Sequence, residues 1–171
     1  MRIIRKLFFK TLPLLLIVGA IFVVSSCFRA IIPSSSMYPL LEKGDQLLIK
    51  KMDASEIERG DVIVFYKDNV LYIKRVIGLP GETVYIENGN VYINGCLLRE
   101  DYVENKDTYN GQFIVPEDSY FVLGDNRVNS KDSRYWPESY VKADSIMGKA
   151  IIKIYPIENI GIIEGVEYEI Y

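Results

Sequence analysis

An uncharged, apolar run near the amino terminus constrains this chain more than any other feature of its sequence. Residues 11–28, TLPLLLIVGAIFVVSSCF, carry no charge over eighteen positions. As an α-helix rising about 1.5 Å per residue, such a run crosses most of a hydrocarbon layer of about 30 Å. The sequence therefore predicts one transmembrane helix, which leaves residues 29–171 for a single domain of ordinary size.

The charges around this run predict its orientation. Of 20 basic and 23 acidic residues, four basic ones and no acidic one lie in residues 1–28, so the rest of the chain has a net charge of about −7. By the positive-inside rule, we expect residues 1–10 in the cytoplasm and the domain outside the cytoplasmic membrane. The acidic balance of that domain argues against nucleic acid as a partner.

Two other interpretations of the apolar run stay open. A cleavable signal peptide would use the small residues Ser25 and Ser26 before its cleavage site. The tetrapeptide VSSC, residues 24–27, resembles a lipobox, in which Cys27 would be acylated and become the new amino terminus. Both interpretations leave the domain outside the cytoplasm.

Short β-strands dominate the prediction for the remainder of the chain. Five segments are rich in β-branched and aromatic residues and are bounded by turn-forming residues: 62–66, 70–78, 83–95, 120–124 and 149–155. Within the third segment, Asn88-Gly89 predicts a two-residue hairpin turn. We expect a mainly β domain with a hairpin-containing insertion at about residues 83–119, in which residues 99–119 form a polar, irregular and exposed loop.

The chain contains no histidine and only two cysteines, Cys27 and Cys96. Neither a zinc site of the Cys/His type nor a disulfide scaffold can be assembled from these residues. Cys96 follows an Asn-Gly pair in a predicted turn, so we expect an exposed thiol without a redox role.

Three consecutive serines, residues 34–36 in PSSSMYPLL, raise the question of nucleophilic catalysis without histidine. A lysine amine can take the proton of a serine hydroxyl if burial makes the amine neutral, which at pH 7 requires a pKa lowered by about 3 units, or about 4 kcal/mol. Lys74 is the best candidate, because alternation within VLYIKRVIG puts it on the strand face of Tyr72 and Val76. On this stretch alone, an edge-strand lysine that discourages aggregation is the simpler interpretation.

Four motifs in a characteristic order favour the catalytic interpretation. They are SMYP at 36–39, RGDVIVF at 59–65, YIKRVIGLPGE at 72–82 and GDNRVNSKDSRYW at 124–136. In order and spacing they resemble the boxes of type I signal peptidases, in the Gram-positive-like form with a single span, and the resemblance covers nearly the whole chain. It departs from the family pattern at Leu40-Leu41, where Thr-Leu is usual, and at Pro137, where Gly is usual.

The resemblance implies a serine endopeptidase that removes signal peptides from exported preproteins, on a β fold shared with the SOS-repressor proteases. Matched by position, Ser36 is the nucleophile and Lys74 the general base. Ser34 joins the backbone N–H of Ser36 in the oxyanion hole, and Ser130 orients the lysine. Three charged residues would support the site: Asp132, Arg134 and Arg75.

The resemblance implies no metal and no other cofactor. The expected partners are preprotein signal peptides and the phospholipid membrane, close to the secretion translocon. An extended substrate ending in small-x-small would add as a strand, with Ile31, Ile32 and Met37 beside its shallow pockets. Two alternatives stay open: a self-cleaving enzyme of the SOS-repressor type, and a membrane-anchored or lipid-anchored β-domain protein without catalysis, in which Ser36 would be dispensable.

Overall fold

The computed structural model describes residues 26–166 and 168 of the chain. Residues 1–10 and nearly all of the apolar run predicted to span a membrane lie outside the described residues. The last two residues of that run, Cys27 and Phe28, belong to a β-strand. Within the described part, no helix has the length and apolar character that crossing a membrane requires. The helices found there are 3₁₀ turns of three residues, at Ala54–Glu56, Arg127–Asn129, Ala143–Ser145 and Ile157–Asn159.

The described residues form a mainly β structure, as the sequence predicts, with two antiparallel sheets. In chain order the strands are β1 Cys27–Ile31, β2 Gln46–Lys50, β3 Val62–Lys67, β4 Val70–Gly78, β5 Thr83–Glu87, β6 Asn90–Ile93, β7 Cys96–Leu97, β8 Gly111–Ile114, β9 Ser119–Leu123, β10 Val141–Lys142, β11 Ile146–Tyr155 and β12 Gly161–Ile162. The larger sheet has the order β1-β2-β11-β3-β4-β9-β10, with β12 on β11, and the smaller one has the order β7-β6-β5-β8.

Strand β3 explains why its segment reads as a continuous apolar run. Val62 and Val64 pack in one core cluster with residues of β1 and β2, while Ile63 and Phe65 pack in another that contains Trp136. Successive side chains of a strand point to opposite faces, so both faces of the sheet are covered here. The structure thus buries most of this strand and the part of β4 from Ile73 to Gly78.

The smaller sheet contains the hairpin that the sequence predicts. β5 pairs with β6 across Asn88-Gly89, whose φ angles of 48° and 75° are both positive, as a type I′ turn requires. The second Asn-Gly pair, Asn94-Gly95, makes the same kind of turn between β6 and β7. Cys96 therefore lies in a strand and is partly buried, which corrects the expectation of an exposed thiol in a turn.

The expectation of an irregular, exposed loop at residues 99–119 is wrong in two respects. Its second half contains β8, which pairs with β5 as an edge strand of the smaller sheet. Its first half carries buried side chains, including Glu100 and Val103. The prediction failed because polar side chains were taken to face solvent, whereas Glu100 is buried against a distant arginine.

Candidate active site

The three serines lie in the turn that follows β1. The backbone N–H of Ile32 donates to the Asp45 carbonyl at 2.8 Å, which ties this turn to the start of β2. Asn126 holds it from the other side: its backbone N–H donates to the Ser36 carbonyl at 3.1 Å, and its side-chain amide donates to the Ser35 carbonyl at 3.2 Å. Ser36 is thereby held in place, with 8% of its surface exposed.

Lys74 and Ser36 meet from elements that are far apart in the sequence. The amine of Lys74 donates to Ser36 Oγ at 2.7 Å and to the Ile73 carbonyl at 2.9 Å. The register pairs Lys74 with Ile63 and Tyr72 with Phe65, which puts Lys74 on the strand face predicted for it. The lysine is only 4% exposed. A primary amine and a serine hydroxyl in direct contact form a pair suited to proton transfer.

The surroundings of Lys74 disfavour its charged form. Burial lowers the pKa of Lys74 from 10.5 to about 8, because the ammonium loses its hydration. The negative charges of Asp132 and Asp125 act in the opposite direction and raise the pKa, whereas the positive charge of Arg134 lowers it further. A substantial neutral fraction is therefore present at mildly alkaline pH.

The other two predicted serines differ in their contacts. Ser34 lies beside the pair, with its Oγ 3.4 Å from Ser36 Oγ. Ser130 is buried, yet its hydroxyl has no hydrogen-bond partner among the described residues, so the predicted hydrogen bond to Lys74 is not formed. The Ser130 hydroxyl is instead packed against Gly124.

Gly124 is a site residue to which sequence reasoning assigned no role. A Cβ added here would stand 2.2 Å from Ser130 Oγ and 2.4 Å from the Ser36 carbonyl oxygen. Only glycine lets β9 approach the serine turn this closely. Its position at the start of the GDNR motif was the available signal.

Two buried ion pairs surround the dyad, and both include residues predicted to support the site. Asp132 and Arg134 make a bidentate pair, with Nε–Oδ1 and Nη2–Oδ2 distances of 2.8 Å. Arg75 makes a second bidentate pair with Asp125, at 2.9 and 2.7 Å, and also donates to the Gly60 carbonyl at 2.7 Å. Asp125 was not singled out from the sequence, although it stands beside Gly124 in the same motif.

Sequence reasoning missed two more carboxylates, both from the segment expected to be an exposed loop. Glu100 binds Arg127 through two hydrogen bonds of 2.9 and 2.5 Å, and both side chains are almost fully buried. Asp107 pairs with Arg134. The arginines of the GDNRVNSKDSRYW motif were a signal that further counter-charges were needed, but their sequence distance hid the partners.

A cavity of about 300 Å³ opens beside the dyad and is lined in part by Ser36, Lys74, Ile32 and Met37. Ile31 does not line it and is 58% exposed, which departs from the prediction that placed Ile31 with Ile32 and Met37. Ile31 is the last residue of β1, and its side chain faces solvent, whereas Ile32 is buried at the cavity.

Comparison with known proteins identifies the family of this chain. Residues 4–155 match the family model described as signal peptidase, peptidase S26. The chain belongs to the signal peptidase family. It is accordingly a peptidase. This excludes the alternative of an anchored β-domain protein without catalysis.

Several named signal peptidases are similar in sequence to this chain over much of its length. A probable signal peptidase I-2 of Synechocystis is 41% identical over 143 residues, covering 77% of this chain and 65% of that protein. A probable signal peptidase I-1 of the same organism is 36% identical over 168 residues, covering 89% and 85%. Signal peptidase I S of Bacillus subtilis is 35% identical, covering 75% and 77%. A crystal structure of a signal peptidase I from Enterococcus faecalis is 38% identical, with a TM-score of 0.48, and covers 55% of this chain and 96% of that one.

Proposed function

We propose that this chain is a serine endopeptidase that cleaves N-terminal signal peptides from exported preproteins, with Ser36 as nucleophile and Lys74 as general base. The observation that carries the proposal is the 2.7 Å contact between the buried Lys74 amine and Ser36 Oγ. The neutral amine accepts the hydroxyl proton as Oγ attacks the scissile carbonyl carbon. In this step the Ser36 hydroxyl donates to the neutral Lys74 amine, whereas in the hydrogen bond described above the Lys74 amine donates to Ser36 Oγ.

The proton and the acyl group then move in two stages. The tetrahedral intermediate places negative charge on the carbonyl oxygen, where the backbone N–H of Ser36 and the Ser34 hydroxyl donate hydrogen bonds. Lys74 returns its proton to the leaving amine as the peptide bond breaks, leaving an acyl ester on Ser36. Water, deprotonated by Lys74, attacks this ester, and the acyl–Oγ bond breaks as Lys74 returns the proton to Ser36 Oγ, which releases the second product and restores the free enzyme. Lysine does here what histidine does in most serine hydrolases, and the chain has no histidine.

The cavity fits the substrate class proposed for this site. An extended peptide lying along it turns its −1 and −3 side chains to the same side, because side chains alternate along a strand. Both side chains would then face the cavity beside the dyad, whose wall includes Ile32 and Met37. We therefore assign selection for small-x-small sequences to the cavity, and affinity to backbone hydrogen bonds.

The location proposed for the enzyme follows from the sequence before the described residues. The apolar run that begins at residue 11 anchors the chain as one transmembrane helix, residues 1–10 stay in the cytoplasm, and residues 29–171 form the catalytic domain on the outer face. The helix would end before Cys27, since β1 begins there. This topology brings the dyad close to preproteins that leave the translocon.

Cleavage of a purified preprotein by the full chain in detergent tests the proposal. Ser36→Ala should lower kcat/KM by at least about a thousandfold, since the attacking atom is lost. Ser35→Ala is the matched control, because it removes a neighbouring serine whose side chain is exposed, and it should cleave at the rate of the unaltered chain. Equal cleavage by Ser36→Ala and the unaltered chain would refute the proposal.

A further inference from the structure

Arg134 is shared between two carboxylates. Its Nε and Nη2 donate to Asp132, and its Nη1 pairs with Asp107, which comes from the segment between β7 and β8. The Arg134 side chain is 1% exposed and that of Asp107 is 14% exposed. The group of three therefore carries one net negative charge, where the Asp132–Arg134 pair alone would carry none.

Asp107 is held at Arg134 by its own surroundings. The Tyr135 hydroxyl donates to Asp107 Oδ2 at 3.2 Å, and the backbone N–H of Tyr109 donates to Oδ1 at 3.3 Å. The segment is tied to the hairpin turn, because the Gly89 N–H donates to the Tyr109 carbonyl at 3.2 Å. The carboxylate is thus fixed by contacts on three sides and does not depend on one flexible ion pair.

The charges that face Lys74 belong to residues of one motif. These are Asp125, Asp132 and Arg134 after β9, with Lys131 at the cavity wall, while Tyr72 on β4 and the Ser36 hydroxyl lie beside the amine as uncharged groups. Arg75 neutralises Asp125, and Glu100 neutralises Arg127 behind Arg134. Arg134 neutralises Asp132, so the negative charge that remains near Arg134 is that of Asp107.

We propose that Asp107 is a positioning residue that acts on Lys74 through Arg134: by offsetting the positive charge of Arg134, it raises the pH at which Lys74 loses its proton. The inference deepens the proposed function, because it rests on Lys74 as the general base. Burial of Lys74 favours the neutral amine, and Asp107 opposes that effect from outside the motif that contains Asp132 and Arg134.

Asp107→Asn tests this inference, because it keeps the shape of the side chain and removes its charge. The midpoint of kcat/KM against pH should fall by about half a pH unit, so that kcat/KM at pH 7 rises about two- to threefold. Asp101→Asn is the matched control in the same segment: Asp101 pairs with Arg99, both side chains are largely exposed, and its midpoint should not change. A residue with a merely structural role would lower activity without moving the midpoint.

A second readout separates this inference from the proposed function. NMR titration of the Lys74 side chain in a Ser36→Ala background follows its proton without turnover, and adding Asp107→Asn should lower that midpoint by the same amount. A shift there supports the inference whatever the rate of cleavage. An unchanged or raised midpoint overturns it. If Asp107→Asn does not fold, Asp107→Ser replaces it, and failure of both to fold would assign Asp107 to stability and overturn the inference.

Discussion

At the scale of single residues, the proposed chemistry depends on the protonation of one buried lysine. Because Lys74 acts as a base only when neutral, and its pKa is lowered to about 8, kcat/KM should rise with pH through a midpoint near 8. A pH series on a preprotein substrate measures this midpoint. A rate independent of pH between 6 and 10 would contradict a lysine base.

Replacement of the same lysine separates the base from an ion-pair partner. Lys74→Arg keeps the positive charge but stays protonated, so it should be nearly inactive at pH 8. Lys51→Ala, at an exposed lysine after β2, is the control and should retain full activity. The assignment of Lys74 as general base would be refuted if Lys74→Arg kept activity within about tenfold of the unaltered chain. That is a loss of only about 1.4 kcal/mol in transition-state stabilisation.

At the scale of elements, the two Asn-Gly turns of the smaller sheet form a natural pair for comparison. Gly89 and Gly95 both have positive φ, at 75° and 87°. A Cβ on Gly89 would lie 2.0 Å from the Asp107 carbonyl oxygen, whereas a Cβ on Gly95 meets nothing within 4 Å. The first turn therefore packs against the segment that carries Asp107, and the second does not.

Alanine at these two glycines should thus have unequal effects on the free energy of unfolding. Gly95→Ala should cost about 1–2 kcal/mol, the strain of a left-handed non-glycine residue. Gly89→Ala adds a backbone clash and should cost at least about 3 kcal/mol. Denaturant unfolding of the full chain measures both. If both variants lost the same free energy of unfolding, the segment that carries Asp107 would have to move away from residue 89 at no cost, which would contradict this prediction.

At the scale of the whole molecule, a buried ion pair joins the segment between β7 and β8 to the loop after β9. Glu100 and Arg127 are both nearly inaccessible to water. Glu100→Gln leaves the Arg127 guanidinium buried without a counter-charge, so the free energy of unfolding should fall by about 3–5 kcal/mol. The exposed pair of Arg99 and Asp101 lies beside it in the sequence, and Asp101→Asn should cost less than about 1 kcal/mol. A loss below about 1 kcal/mol for Glu100→Gln would mean that water reaches the pair.

The sequence by itself determined the features that depend on local pattern. β-branched and aromatic alternation predicted β4 over residues 70–78 with the bounds found, and Asn88-Gly89 predicted its hairpin, because strand period and turn chemistry are read from neighbouring residues. The same alternation placed Lys74 on the strand face of Tyr72 and Val76, although on this stretch alone an edge-strand lysine was the simpler interpretation. These predictions needed no knowledge of which segments meet.

Only the tertiary structure decided which distant residues meet. β1 was hidden at the end of the apolar run, and β2 is a five-residue strand that is stabilised by its neighbours β1 and β11. Glu100 and Asp107 belong to a polar segment whose pattern predicts a solvated loop, yet each pairs with an arginine 27 residues away. A protein tolerates a buried charge only when a counter-charge lies beside it. The position of that counter-charge is fixed by the packing of the two sheets, which no local pattern of residues records.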